Sequence, residues 1–162
     1  GLSGIDGLVA GFAGALAAIK DEAPPTALLL IGDISLLHDL GGLGLLEDAS
    51  PGTAVLVFNN GGGRIFEQLP LARQEGFDRP ERMAPWTSPH RRDFAAAGRL
   101  FGLDHVRLDD PRSLAAELDG LSERRRPVLF EARVPEHGAA ELERRWRARV
   151  EGAVTRWAEE HP

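Results

Sequence analysis

The chain has 162 residues, a formal net charge of −6 and no cysteine. This length suits one ordinary domain with a substantial core. The acidic balance argues against a general nucleic-acid binder, and the absence of cysteine excludes disulfides and thiolate metal sites. No apolar run approaches the roughly 18 residues that a membrane span needs. We therefore expect a globular domain without a membrane span, located in the cytoplasm.

Helical and strand patterns alternate along the first sixty residues. Residues 6–20 carry apolar side chains at near-helical spacing, and glycines at 7, 11 and 14 share a face that a second backbone could approach closely. Residues 26–31 and 53–58 are continuous apolar runs, which are typical of parallel strands covered on both faces. Ser35 is expected to cap the helix between them. Strand, helix and strand within about thirty residues predict a βαβ unit.

The remainder of the chain continues the same alternation after a long irregular stretch. Residues 60–90 show no clear period beyond one helical turn at 65–69, and a connection of this length is usually functional or mobile. The patterns then predict helices at 93–101, 111–121 and 139–159, and strands at 105–108 and 127–134. We expect a single α/β domain over residues 1–162, doubly wound, with a mainly parallel sheet and helices on both faces.

Oxygen-bearing residues and glycines follow the first two predicted strands. Asp33 leaves one strand, and Asn60 leaves the next, followed by a run of glycines. Ligands of open α/β sheets bind outside the carboxyl ends of the strands. A carboxylate, an amide oxygen and an exposed backbone carbonyl suit Mg²⁺, while Ser35 and free helix amides suit phosphate oxygens. The sequence therefore predicts a magnesium-diphosphate site.

The spacing and flanks of these residues resemble a known motif. Gly32-Asp33, a spacer of 25 residues (34–58) and Asn59-Asn60 are similar to the motif of thiamine diphosphate enzymes. More narrowly, four segments resemble one branch, the menaquinone-pathway 2-succinyl-5-enolpyruvyl-6-hydroxy-3-cyclohexene-1-carboxylate synthases. They are SGIDG at 3–7, GDISLLHD at 32–39, NNGGGRIF at 59–66 with Leu69-Pro70, and SPH at 88–90 with Asp93-Phe94. The similarity extends over the chain to about Val134.

The resemblance implies a cofactor and a set of residues that bind it. Members of this family bind thiamine diphosphate and Mg²⁺ (or Mn²⁺), and the metal ligands correspond to Asp33, Asn60 and the carbonyl of Gly62. The implied cofactor contacts are Ser3, Ile5, Gly32, Asp33, Ile34, Ser35, Asn60, Gly62 and Gly63. Ile65, Phe66 and Leu69 fall on the implied apolar wall beside the substrates.

The resemblance also implies a reaction and partners. The family decarboxylates 2-oxoglutarate and adds the succinyl carbanion equivalent to isochorismate. The cofactor lies between a diphosphate-binding domain and the pyrimidine-binding domain of a second subunit, in a homodimer or homotetramer. This chain matches only the C-terminal, diphosphate-binding domain of such a multidomain enzyme. The glutamate that activates the cofactor belongs to the N-terminal domain, so we expect no catalytic residue here and no activity of the chain alone.

Several positions keep more than one interpretation. Gly61 stands where the branch often has Asn, and Arg64 is bulkier than expected beside the substrates. His38 and Asp39 suit helix packing or capping as well as catalysis, and His90 suits a loop as well as a site. The stripe at Trp146 and Trp157 suits a core or an interface, and for Trp86 packing is favoured over a lid contact. Another thiamine diphosphate-dependent 2-oxoacid decarboxylase or acetolactate-type synthase, or a non-catalytic α/β binding module, remains an alternative.

Overall fold

The computed structural model describes residues 5–19, 26–77 and 79–161. The chain divides into two compact units. The first unit combines Gly1–Gly63 with Pro89–Val134, and the second combines Arg64–Ser88 with Pro135–Pro162. Each unit is described separately below, and the division of the chain into domains stays a prediction.

A parallel sheet forms the centre of the first unit. Its four strands, in the order β1-β2-β4-β3, are β1 (Ala27–Gly32), β2 (Thr53–Asn59), β3 (Asp104–Leu108) and β4 (Val128–Arg133). Every neighbouring pair is parallel, and Gly32 at the end of β1 lies in register with Phe58 of β2. The predicted parallel sheet is therefore confirmed, and the carboxyl ends of β1 and β2 meet at one edge.

Helices cover both faces of this sheet. The α-helices of the first unit are α1 (Leu8–Ala18), α2 (Asp33–His38), α4 (Phe94–Leu100) and α5 (Pro111–Asp119), with α3 in the second unit (Pro80–Thr87). One face packs Val55, Val57 and Leu129 against α1, α2, α4 and the 3₁₀ helix Leu40–Leu46. The other face packs Leu56 and Phe130 against α5 and its neighbouring residues. Helices on both faces confirm the doubly wound α/β arrangement.

The start of α2 differs from the sequence prediction. Ser35 lies inside this helix and is not its N-cap, because β1 passes directly into α2 at Asp33, with Gly32 in the capping position. Gly32 is extended there, with φ −80° and ψ 158°, and no side chain caps the helix. The apolar stripe beyond residue 40 continues as a 3₁₀ helix rather than as an α-helix.

The second unit contains Arg64–Ser88, most of the stretch for which the sequence pattern predicted little regular structure. The predicted turn at 65–69 is the 3₁₀ helix Arg64–Gln68, but α3 was not anticipated because Pro85 lies inside it. The last helix, α6, spans Ala139–Glu160, and its Trp146 and Trp157 are 65% and 61% exposed. A core role for these tryptophans is therefore wrong, and an interface role stays a prediction. Within the described ranges, no helix is long and apolar enough to cross a membrane.

Candidate functional site

Asp33 links the carboxyl end of the edge strand β1 to the loop that follows its neighbour β2. Its side chain follows β1 directly and the residue is only 2% exposed. Oδ1 accepts a hydrogen bond from the Ile34 amide at 2.7 Å, and Oδ2 accepts one from the Gly62 amide at 3.0 Å. The Gly62 bond crosses from β1 to the loop after β2. Two residues that the sequence assigned to one metal site are thus in direct contact.

His90 also lies next to the Asp33 carboxylate. Its amide donates to the Gly61 carbonyl at 3.0 Å, and its ring meets the edge of the Phe94 ring at a centroid distance of 6.1 Å. Nε2 lies 3.2 Å from Oδ2 of Asp33, but it is buried and the alignment is not that of a hydrogen bond. A buried, unsatisfied nitrogen beside a buried carboxylate is uncommon in a purely structural setting. His90 therefore lies beside Asp33, and a functional role for its ring stays a prediction.

The loop after β2 is held by Asn59. Oδ1 of Asn59 accepts from the Gly61 amide at 3.1 Å, and Nδ2 donates to a carboxylate oxygen of Glu131 at 2.7 Å. Gly61 has φ 74°, a left-handed conformation that Gly and Asn both tolerate. This shared preference explains why glycine can replace the asparagine that the resemblance led us to expect.

The residues at the strand ends fit a divalent ion that binds through oxygen. Across the described ranges, no group of three or more His, Cys, Asp or Glu side chains converges on one point. Such an ion would therefore combine the Asp33 carboxylate with amide and backbone carbonyl oxygens. Asn60 is half-buried at the same edge of the sheet. Amide and carbonyl oxygens together with phosphates are ordinary ligands of Mg²⁺.

Gly32 leaves space beside the carboxylate for a larger group. Its φ of −80° is accessible to any residue, so backbone conformation does not require glycine. A Cβ built at this position would meet nothing within 4 Å. The missing side chain therefore opens the surface next to Asp33, as a diphosphate would require. Metal and cofactor ligation by these residues stays a prediction.

The other predicted site residues are distributed between the two units. Ser3 lies outside the described residues. Ile5 is 43% exposed, whereas Ile34, Ser35 and Gly63 are half-buried. The residues of the predicted substrate wall belong to the second unit, where Ile65 and Leu69 are exposed and Phe66 is half-buried. The role of Ile65, Phe66 and Leu69 stays a prediction.

Arg64 and Trp86 both make contacts within the second unit. The Arg64 guanidinium lies 2.7 Å from the Glu67 carboxylate and 3.4 Å from that of Glu136. Arg64, which is bulkier than the family resemblance led us to expect, is thus ion-paired with both glutamates. Trp86 packs against Phe66 with ring centroids 6.0 Å apart, which confirms a packing contact for this tryptophan.

Asp39 caps a helix, but not the one beside it in sequence. Its Oδ2 accepts hydrogen bonds from the amides of Val9 and Ala10, at 2.6 and 3.0 Å, at the start of α1. Gly42 permits this approach, because a Cβ there would lie 3.0 Å from the Ala10 amide, Val9 Cβ and Asp39 Oδ1. The capping interpretation of Asp39 is therefore confirmed. By contrast, Gly7, Gly11 and Gly14 have nothing within 4 Å of a built Cβ, so no described backbone approaches that face.

Sequence reasoning missed Glu131. This glutamate lies in β4, is 2% exposed, and contacts Asn59 as well as His105 and Arg133. The available signal was a single acid within the apolar run Val128–Ala132, which is an unusual place for an unpaired charge.

Comparison with known proteins identifies relatives that share one name. No protein-family model matches the chain. The 2-succinyl-5-enolpyruvyl-6-hydroxy-3-cyclohexene-1-carboxylate synthase of Sorangium cellulosum is 47% identical over 151 residues, which is 90% of this chain and 24% of that protein. The synthases of the same name from Salinibacter ruber and Halorhodospira halophila are 41% and 43% identical, over 95% and 72% of this chain. They are covered over 24% and 20% of their lengths.

Solved structures show the same fold at lower identity. The thiamine diphosphate-dependent 4-hydroxybenzoylformate decarboxylase of Rhodococcus jostii RHA1 matches with a TM-score of 0.60 and 20% identity, over 78% of this chain and 23% of that one. The benzoylformate decarboxylase of Polynucleobacter necessarius matches with a TM-score of 0.56 and 15% identity, over 68% and 20%.

The fold is therefore the α/β fold of thiamine diphosphate-dependent enzyme domains. Within that class, the chain is a homologue of part of the 2-succinyl-5-enolpyruvyl-6-hydroxy-3-cyclohexene-1-carboxylate synthases. It spans about a quarter of the length of these relatives.

Proposed function

We propose that this chain is the C-terminal domain that binds diphosphate and metal in a thiamine diphosphate-dependent synthase. The synthase would decarboxylate 2-oxoglutarate and join the remaining succinyl unit to isochorismate in menaquinone biosynthesis. The observation that carries this proposal is the hydrogen bond from the Gly62 amide to the buried Asp33 carboxylate. It connects the two halves of the motif across neighbouring strand ends, with the spacing that the family uses.

The proposed metal ligands are the Asp33 carboxylate, the Asn60 amide oxygen and the Gly62 carbonyl. Asp33 is suited to this role because its negative charge is buried and because a second group, His90, also faces it without a hydrogen bond. A divalent cation would offset the desolvation that such a carboxylate suffers. The ion is Mg²⁺ or Mn²⁺, both of which accept oxygen ligands.

The proposed cofactor contacts surround this ion. Gly32 and Gly63 would allow close approach of the diphosphate, and Ser35 and Ile34, in the first turns of α2, would hold it. By the family resemblance, Ser3 and Ile5 are further proposed cofactor contacts, and Ile65, Phe66 and Leu69 are the proposed apolar substrate contacts. Thiamine diphosphate supplies the carbanion chemistry when bound, and these residues supply position and electrostatics.

The proposed enzyme needs more protein than this chain. A pyrimidine-binding domain from a second subunit would provide the other half of the cofactor site, in a cytoplasmic homodimer or homotetramer. The group that activates the cofactor would lie in that other domain. We therefore expect the isolated chain to be inactive toward 2-oxoglutarate and isochorismate.

The identities favour this synthase over a different 2-oxoacid decarboxylase. The synthase relatives are 41% to 47% identical to the chain, whereas the decarboxylases among the solved structures are 15% to 20% identical. Retention of Asp33, Asn60 and Ser35 in an intact fold argues against a non-catalytic module with a decayed site.

Calorimetric titration of thiamine diphosphate with Mg²⁺ into the full-length protein tests the proposal. The parent protein should bind both, and Asp33→Ala should lose most of the affinity. Asp48→Ala removes an exposed carboxylate of the same unit and is the matched control, which should bind as the parent does. Equal affinity in the Asp33→Ala and Asp48→Ala proteins would contradict the metal assignment.

A further inference from the structure

Glu131 is a buried acid in the middle of an apolar sheet. Its strand, β4, lies between β2 and β3, so both neighbours supply polar partners. Oε1 accepts from Asn59 Nδ2 at 2.7 Å and from Arg133 Nε at 3.1 Å, and Oε2 lies 3.1 Å from His105 Nε2. Each of these three contacts joins the carboxylate to a side-chain nitrogen. A buried charge with several partners costs much less than an unpaired one, but an apolar residue would normally be favoured here.

The contact with Glu131 fixes the orientation of the Asn59 side chain. An ionised carboxylate only accepts hydrogen bonds, so the Nδ2 end of the amide must face Glu131. Oδ1 then points the other way and accepts from the Gly61 amide at 3.1 Å. If the amide were flipped, Asn59 Oδ1 would face the Glu131 carboxylate, so two acceptors would meet. Nδ2 would then face the Gly61 amide, so two donors would meet. Glu131 therefore determines which atom of Asn59 meets the glycine loop.

Asn59 transmits this constraint to the proposed metal site. The Asn59 carbonyl also accepts from the Val134 amide at 3.1 Å, so the residue is held to the segment after β4 at a second point. Gly61 is held by Asn59 on one side and by the His90 amide on the other. Gly62, one residue later, donates to Asp33. The loop that carries Asn60 and Gly62 is thus tethered at both ends.

We propose that Glu131 is a positioning residue for the metal-binding loop and acts through Asn59. This inference rests on the proposed function. A purely structural role would require only that the buried carboxylate be satisfied. A positioning role requires in addition that the donor and acceptor pattern between residues 59 and 131 control how well the loop presents its oxygens to the ion.

An exchange of chemical groups between the two positions tests this proposal in the full-length enzyme. Asn59→Asp places two acceptor-only carboxylates against each other, and we expect the Mg²⁺ dissociation constant at fixed thiamine diphosphate to rise about tenfold or more. Adding Glu131→Gln supplies a donor to the new carboxylate, whose second oxygen can still accept from the Gly61 amide. The double variant should return to within about threefold of the parent, because the complementary pattern is restored.

Glu131→Gln alone provides a second measurement that does not depend on the folding of the Asn59→Asp protein. It removes the charge that strengthens the contact with Asn59, so Mg²⁺ affinity should fall by about threefold or more. Glu123→Gln makes the same chemical change at an exposed position and should bind Mg²⁺ as the parent does. The KM for 2-oxoglutarate should change less than the Mg²⁺ constant in the variants at positions 59 and 131.

The outcomes separate the two proposals. Failure of the parent enzyme to bind thiamine diphosphate with Mg²⁺ would overturn the proposed function. If the parent binds both, the positioning role fails when the double variant binds no better than Asn59→Asp. It also fails when Asn59→Asp binds like the parent, or when Glu131→Gln matches Glu123→Gln.

Discussion

The ring of His90 reaches the Asp33 carboxylate from a segment that lies almost sixty residues further along the chain. Nε2 of His90 is 3.2 Å from Oδ2 of Asp33, and the two side chains are 7% and 3% exposed. The backbone of His90 also holds Gly61, so one residue contacts both the first and the second half of the motif. The site is therefore built from three segments, of which only two were apparent in the motif itself.

Truncation of His90 should loosen the glycine loop. His90→Ala removes a buried ring that packs on Phe94 and faces Asp33. Such a change typically lowers the free energy of unfolding by about 1–3 kcal/mol. We expect faster hydrogen exchange at the Gly62 amide, measured by mass spectrometry on the full-length protein. Arg91→Ala removes an exposed neighbour and serves as the control. Unchanged exchange in His90→Ala would show that the ring does not support the loop.

Asp39 should be the main N-terminal support of α1. Asp39→Ala leaves the Val9 and Ala10 amides without their partner, and loss of a cap typically costs about 1 kcal/mol. Hydrogen exchange across residues 8–11 should accelerate by about fivefold, whereas Asp39→Asn keeps an acceptor and should change it less. Asp48→Ala should leave exchange in this segment unaltered. Equal protection in Asp39→Ala and Asp48→Ala would contradict the capping role.

Substitutions at Gly61 should be tolerated according to whether the new residue can adopt a positive φ, and not according to its size alone. With φ at 74°, Gly61→Asn should be tolerated, whereas Gly61→Val should strain the loop by about 1–3 kcal/mol. The measurement is the Mg²⁺ dissociation constant at fixed thiamine diphosphate, compared among the parent and both variants. A Gly61→Val protein that binds Mg²⁺ as well as Gly61→Asn would show that this conformation is not needed.

Asp110 should have a pKa below the usual value of an aspartate. Hydrogen bonds from the Ser113 backbone, the Ser113 hydroxyl and the Arg112 amide lower the pKa of this N-cap carboxyl of α5 below its usual value. Since the folded pKa is below the unfolded one, its contribution to stability is complete above the unfolded pKa. That contribution is lost as the pH falls through the folded pKa. An NMR titration should show the low pKa, and Ser113→Ala should raise it. An Asp110 pKa that Ser113→Ala leaves unchanged would contradict this account.

The sequence was informative where local pattern determines structure. Continuous apolar runs located β1 and β2, and the polar residues after them located Asp33 and the glycine loop at one edge of the sheet. Local helical patterns located α4 and α5 to within two residues of their observed ends. These features depend on residues close together in the chain, which a single sequence displays directly.

Contacts between distant segments were not predictable in the same way. Ser35 has the chemistry of an N-cap, yet the helix begins two residues earlier because β1 ends directly in Asp33. Asp39 caps a helix thirty residues earlier in the chain, and Glu131 meets Asn59 across 72 positions. No local period encodes such pairs, because they arise only when the sheet and its helices assemble.

The position of β4 has a consequence for the order in which the site can form. This strand is the last of the four in sequence, but it occupies the place between β2 and β3. The first two strands can pair as soon as they are synthesised, since only a short crossover separates them. Asn59 gains its partner Glu131 only after β4 has inserted, and closing so long a loop is slow. A nascent chain that ends before β4 would already contain Asp33, Asn60 and Gly62, but it would lack the restraint that holds their loop.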